Sequence, residues 1–322
     1  MTTLQPTSGG ASAGGLSSSS WKTWLPAMVA IALLAGLAIG VPGLFTVRSI
    51  QNMLIQIGPL GLVALGQCLV ILVRGLDLSV ASVMATAAVI AASFGPSPGA
   101  FPIVVVCVLA MSVTVGAVNG LLVTKRKLEP FLVTLATMIM LQGIRSAVTE
   151  GAPLGDTPMI VRELGRGIVW GIPINAILLG VTACVLALIL RRTVIGRKVY
   201  IVGTNDRAAF LAGIHPDRVR IGCYIGCSVL AGMAGVVLAG YLDQVDNWVG
   251  RGYELDSIVA AVLGGVALAG GKGGAFGALA GAVLLILLSN AILHLGIPVE
   301  FQMIMKGVIV VGAVAFYAVR GR

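Results

Sequence analysis

Residues 50–72 read IQNMLIQIGPLGLVALGQCLVIL, twenty-three residues without one charged side chain. A helix rises about 1.5 Å per residue, so this stretch covers about 35 Å, more than the ~30 Å hydrocarbon core of a bilayer. Its apolar residues run continuously rather than alternating, which excludes a strand of a transmembrane barrel. The rest of the chain shares this character. Of 322 residues, 58% are hydrophobic and 10% charged, whereas a soluble domain carries about 25% charged residues. A water-soluble globule of this composition would expose large apolar patches and aggregate, so the chain is read as a polytopic membrane protein. Its 44 Gly suit that class, because small residues let transmembrane helices approach closely.

Apolar stretches of similar length lie at 25–45, 78–94, 101–123, 130–148, 168–190, 219–241, 257–270, 274–293 and 299–318. The expectation is an all-α fold of eight to ten transmembrane helices, with ten preferred. The stretch 257–270 is short and Gly-rich, which points to a re-entrant or broken span. Residues 1–20 are low-complexity Gly, Ser, Thr and Ala and read as a disordered cytoplasmic tail. The run after Lys22 is too long for a signal peptide and reads as an uncleaved first span. Residues 21–322 then form one transmembrane domain.

The formal net charge is +9. With ten spans and the N-terminus inside, fifteen of the 21 Lys and Arg fall on the cytoplasmic side. Five (Arg48, Arg145, Arg162, Arg166 and Arg251) fall outside, and Lys306 lies within a span. This is the positive-inside bias; it places both termini in the cytoplasm and explains the basic charge without nucleic acid. Two segments outside the spans are long, the external loop 149–167 and the cytoplasmic loop 191–218. Leu76-Asp77 before the third span echoes Leu255-Asp256 before the eighth, and Ser79 and Ser257 are positioned to cap the helices that follow. Five spans separate the two sites, as in a five-plus-five inverted repeat.

Several chemistries are missing. The run GGVALAGGKG at 264–273 lacks the Gly spacing and the Ser or Thr after Lys272 that a phosphate loop requires. His215 and His294 have no metal-ligand spacing, and the five cysteines read as packing residues rather than a disulfide framework. The chain is therefore expected to be no enzyme and to hold no cofactor or metal of its own.

Polar groups inside a bilayer are costly and are functional candidates by default. Candidates for a translocation path are Asn52, Gln56, Phe131, Thr134, Thr137, Asn290, Gln302 and Lys306. Gln67, Asn119 and Gln142 are further polar groups within spans. Gln302 and Lys306 are four apart and share a helix face; Lys306 either ties helices together, through Asp256 or Glu254, or lines the path. Gly116 and Gly120, and Gly273, Gly277 and Gly281, are spaced by four for close helix packing.

In the cytoplasmic loop, Asn205 and Asp206 are set to cap a short helix through Arg207, Ala208, Ala209, Phe210 and Leu211, with Gly213 ending it. Such a helix is unstable alone. It requires either a groove on a partner or the membrane surface, and spacing leaves both open.

Four motifs point further: RGLDLS at 74–79, EPFLVTLAT at 129–137, VGTNDRAAFLAG at 202–213, and GYELDSIVAAVLGG at 252–265 running into AGGKG at 269–273. With them the chain resembles, over roughly residues 40–320, the permease subunits of bacterial sugar ABC importers of the ribose, xylose and galactose type. Branched-chain amino acid permeases are more distant relatives. The family often has Gly where this chain has Arg74, at the inner-face turn. The resemblance implies a bacterial inner-membrane permease working with a second copy or a similar chain. It implies two cytoplasmic ATP-binding-cassette domains carrying ATP and Mg²⁺, and a periplasmic or lipid-anchored solute-binding protein delivering a sugar. Asn205 to Gly213 would be the coupling helix seated on the ATPase, and a bulky charge at Ala209 is expected to uncouple transport. The alternative reading is a self-contained ion-coupled carrier or channel for a small polar solute, supported by Lys306 and the repeat.

Overall fold

The structure is a computed structural model that describes residues 43–97, 99–242, 244–298, 300–304 and 306–308. The expected tail 1–20, residues 25–42 of the first span and residues 299, 305 and 309–318 of the last span lie outside the described residues. The chain is mostly α-helical. Along it come α1 (Val47–Leu72), α2 (Val80–Ala92), α3 (Phe101–Lys125), α4 (Pro130–Thr149), β1 (Leu154–Gly155), α5 (Met159–Arg166), β2 (Ile168–Val169) and β3 (Ile172–Pro173). There follow α6 (Ile174–Arg192), α7 (Val194–Thr204), α8 (Asp206–Leu211), α9 (Pro216–Tyr241), β4 (Gln244–Val245), α10 (Tyr253–Leu263) and α11 (Ala275–His294). Residues 300–304 and 306–308 are again helical.

Six of these helices (α1, α3, α4, α6, α9 and α11) are long and apolar enough to cross a membrane. They match the expected spans closely except at 168–190, where β2 and β3 form an antiparallel ladder and the helix starts only at Ile174. Pro173, which carries no amide hydrogen, sits at the N-cap of that helix. α1 and α9 are the central pair. In α1, 83% of the most apolar window is buried, and in α9 67%, against 22% in α3 and α4, which present their apolar surfaces outward. α9 packs on α1, α2, α3 and α5, while α1 packs on α6, α10 and α11. The glycine spacings permit these approaches. A Cβ on Gly116 would lie 2.6 Å from Ile225 Cα, and one on Gly281 would lie 1.9 Å from Ala260 O.

Two expected spans are not continuous helices. α2 has 13 residues and α10 has 11, about 20 Å and 16 Å of helix, short of the ~30 Å core. Each is preceded by non-helical chain, 73–79 before α2 and 244–252 before α10. The break expected at 257–270 falls where α10 ends, residues 264–270 being non-helical; a further non-helical stretch, 244–252, precedes the helix in a segment read from sequence as an external loop. β4 pairs with β1 of the 149–167 segment, and the chain then descends until Gly250 meets α2. Its φ is +80° and a Cβ there would lie 3.1 Å from Ala81 O, so a side chain would carry both left-handed strain and crowding.

The expected serine caps are corrected. Ser79 donates its hydroxyl to Asp77 Oδ1 (2.5 Å) and accepts from Asn119 Nδ2 (2.9 Å) instead of capping α2. Ser257 lies within α10 and bonds back to Glu254 O. Asp77 is fully buried, a carboxylate inside the bundle that sequence position did not reveal. Arg145 is also moved inward. Counted as external from sequence, it is 4% exposed.

Candidate functional site

The loop 191–218 folds into α7 and α8, and each is built from its own sequence. Thr193 caps α7 by accepting from Gly196 N. Asn205 then ends α7 and starts α8. Its backbone is extended and its Oδ1 accepts from the amides of Arg207 (2.9 Å) and Ala208 (3.1 Å). These are two of the amide donors that a helix start leaves open. At the other end Gly213 has φ +76°. Its amide bonds to Phe210 O and that of Ile214 to Ala209 O, the paired bonds of a Schellman stop. Asn205 and Gly213 thus perform the capping read from their spacing.

α8 is mounted on the bundle by charge. Arg220, on α9, donates Nη2 to both Asp206 oxygens (2.8 and 2.6 Å) and Nε to Val73 O. Arg74 lies at φ +64°, a conformation that favours glycine and costs other residues about 1–2 kcal/mol. Its guanidinium offsets that cost by donating to Gly203 O (2.8 Å), Ala269 O (3.0 Å) and Thr204 O. A cation there also meets the negative end of the α7 dipole. Gly203 lies so close to the end of α1 that a Cβ would sit 1.9 Å from Leu72 O. Gly271 N bonds to the same Leu72 carbonyl (2.9 Å). Tyr200, whose hydroxyl burial pushes above its ordinary range, donates to Gly273 O (2.8 Å). The glycine-rich run 264–273 is thus a turn clamped between α7 and the end of α1.

The exposure of α8 is one-sided. Ala209 is 0% exposed, while Phe210 is 64% and Leu211 79% exposed. Two large apolar side chains are thus left bare on a capped, anchored helix. Ala209 faces the chain's own core, so a bulky charge there would attack the mount rather than the outer surface. Beside α8 a cavity of about 680 Å³, lined by Arg74, Lys127, Arg207 and Arg220 among others, leaves room on one flank. Sequence reasoning missed Arg74, Tyr200 and Arg220 as anchors. No spacing pattern marks a guanidinium whose partners are backbone carbonyls more than a hundred residues away.

The path candidates fall into two sets. Gln56 Oε1 accepts from Asn290 Nδ2 (3.0 Å), Gln302 Nε2 donates to Ser289 O (3.3 Å), and Lys306 Nζ meets Asp256 Oδ2 at 2.7 Å. These join α1, α10, α11 and the 300–308 helix, and Asn52 is exposed further along α1. Lys306 makes the tie to Asp256 that the sequence allowed. Phe131, Thr134 and Thr137 stand on α4. Phe131 is exposed, Thr134 bonds within its own helix, and Thr137 donates to Asn119 Oδ1 (2.6 Å). No hydrogen bond joins the two sets among the described residues.

A family model described as "Branched-chain amino acid transport system / permease component" matches residues 49–314. The chain belongs to this family. It is a permease component of an ABC importer, a multi-pass protein of the bacterial inner membrane and a transport subunit rather than an enzyme. Among relatives, it is 35% identical to the ribose import permease protein RbsC of Escherichia coli (strain K12), over 91% of this chain and 92% of the relative. It is 33% identical to the L-arabinose ABC transporter permease protein AraH of Azospirillum brasilense, over 90% and 85% respectively. The galactofuranose transporter permease protein YtfT of Escherichia coli (strain K12) is 30% identical, over 90% and 88%. No solved structure gives a significant match.

Proposed function

We propose that this permease imports a sugar or sugar-like neutral solute, with α8 as the coupling helix that an ATP-binding-cassette subunit grips from the cytoplasm. The observation that carries the reading is α8 itself: capped at both ends, anchored through Asp206 and Arg220, and bare at Phe210 and Leu211. Asn205, Asp206, Arg207, Ala208, Ala209, Phe210 and Gly213 form this element within the cytoplasmic loop 191–218. Asn205, Asp206, Ala209 and Gly213 hold it, and Phe210 with Leu211 presents it. Sugar import is supported by relatives that bear ribose, arabinose and galactofuranose in their names.

The assembly we infer pairs this chain with a second copy or a similar permease. Two ATPase domains supply ATP and Mg²⁺ inside, and a solute-binding protein docks on the external segments. Ten spans with both termini inside fit the charge distribution. The broken elements support a five-plus-five inverted repeat, because a short helix follows non-helical chain in both places, 73–79 before α2 and 244–252 before α10. The path candidate Lys306 is tied to Asp256, which weakens one of the two supports for an ion-coupled carrier.

A mild-detergent pull-down of the tagged chain from its native membrane, followed by mass spectrometry, tests the reading. Recovery of an ATPase subunit with a solute-binding protein is the expected result. Recovery of this chain alone, under conditions where a known importer stays assembled, overturns it.

A further inference from the structure

A second polar site lies at mid-depth in the bundle, away from the coupling face. It is a cavity of about 330 Å³ where the descending stretch before α10 meets α2 and α4. Its depth follows from α4. Ser82, in the first turn of α2, donates to Met138 O (2.9 Å), and Met138 is close to the centre of a twenty-residue helix. Both elements that meet α4 here are the broken ones. Non-helical backbone is tolerated at such depth where it is buried in protein or lines a cavity.

The lining is chemically specific. Arg145 is 4% exposed. It donates Nη1 to Ser82 O (3.0 Å) and Thr86 Oγ1 (3.3 Å), and Nη2 to Asn247 O (3.3 Å). Its Nε and the side-chain oxygen of Asn247 are buried without a partner. No carboxylate pairs with Arg145 among the described residues. Glu254 lines the same cavity, with Oε2 accepting from Gly252 N (2.9 Å). Gln142, Trp248 and Arg251 line it as well, and the Arg251 guanidinium lies over the Trp248 ring, 5.2 Å from its centroid. Two guanidinium groups and one carboxylate share this cavity, and no ion pair joins them among the described residues, an arrangement that packing alone does not call for. A molecule whose hydroxyls both donate and accept suits such a mixed lining.

The geometry points to this cavity as a way-station for the transported solute, a neutral polyol of monosaccharide size. Arg145, Arg251 and Gln142 donate to its hydroxyls, Glu254 accepts from them, and Trp248 adds apolar wall. The volume sits at the small end of ligand pockets, about 300–1,000 Å³, which admits one sugar unit. Arg145 also links α2 to the descending stretch, so occupancy of the cavity and the packing of the two broken elements are coupled through one side chain. This inference rests on the sugar-import reading.

The test uses the whole importer in proteoliposomes, with its own binding protein and labelled D-ribose, L-arabinose and D-galactose as probes. Gln142→Leu and Trp248→Ala are compared with wild type, and Arg145→Lys keeps the charge while losing the planar fork. A lost hydrogen bond to a hydroxyl is worth about 3- to 10-fold. The expected result is therefore a 3- to 10-fold change in the uptake ratio between two sugars, with ATP hydrolysis still stimulated by loaded binding protein. Equal loss for every sugar marks a structural role only and overturns the proposal, as do unchanged rates and ratios. Absence of ATP-driven sugar uptake by the wild type is a different failure, that of the import reading, and the proposal falls with it.

Discussion

Replacing Asn205 by Ala removes the oxygen that accepts from Arg207 N and Ala208 N at the start of α8. Loss of such a cap costs about 1 kcal/mol. The helix has only six residues, far below the ~12–15 at which an isolated helix becomes marginal, so its own propensity offers no reserve. One kcal/mol is about fivefold in an equilibrium, and the opened fraction of α8 rises by that factor. Hydrogen exchange by mass spectrometry or NMR in nanodiscs reads this directly, with protection over 207–209 falling about fivefold. In the assembled importer, ATPase stimulation by loaded binding protein falls in step. Asn205→Asp restores the acceptor, adds favourable charge at the helix start, and is expected to recover both. Adding Gly213→Ala, which forces Ala to φ +76°, costs about a further 1–2 kcal/mol. If Asn205→Ala leaves protection unchanged, the cap does not hold the helix. If stimulation is lost while protection persists, α8 is not what transmits the signal, and the argument from its mount fails.

Phe210→Asp and Leu211→Asp change exposed positions, so thermal stability is expected to move by less than about 0.5 kcal/mol. ATPase co-purification is expected to weaken more than tenfold, whereas Ala209→Arg, at a buried site, is expected to lower the yield of folded protein itself. Lys306→Met and Asp256→Asn each strand one charge of a partly buried pair. Each is expected to cost about 2–3 kcal/mol in detergent melts, below the ~3–5 of a fully buried pair, and the double variant is expected to lose less than either single one. Gly264→Ala would set a Cβ 1.9 Å from Gly277 O and is expected to cost about 1–3 kcal/mol by prising α10 from α11. Gly143→Ala, with no atom within 4 Å of the added carbon, is expected to be neutral or slightly stabilising by the same melts.

The sequence by itself determined the class and the long elements. A bilayer demands about twenty uninterrupted apolar residues for each helical crossing, and that signal is local, so α1, α3, α4, α9 and α11 were legible to within a few residues. The ends of α8 were legible for the same reason. An N-cap and a left-handed stop are made by residues within a few positions of one another, and Asn205 and Gly213 announce them. What the tertiary structure alone decided is everything that depends on distance in the chain. Hydropathy did not show that 244–252 returns to α2, where Gly250 is buried against Ala81, because residue type alone does not separate such a segment from an outer loop. Nor did residue type place Arg145 inside the bundle or Arg74 on the carbonyls of Gly203, Thr204 and Ala269. A guanidinium is hydrated or buried according to the acceptors brought around it, and folding supplies those from helices tens to hundreds of residues apart.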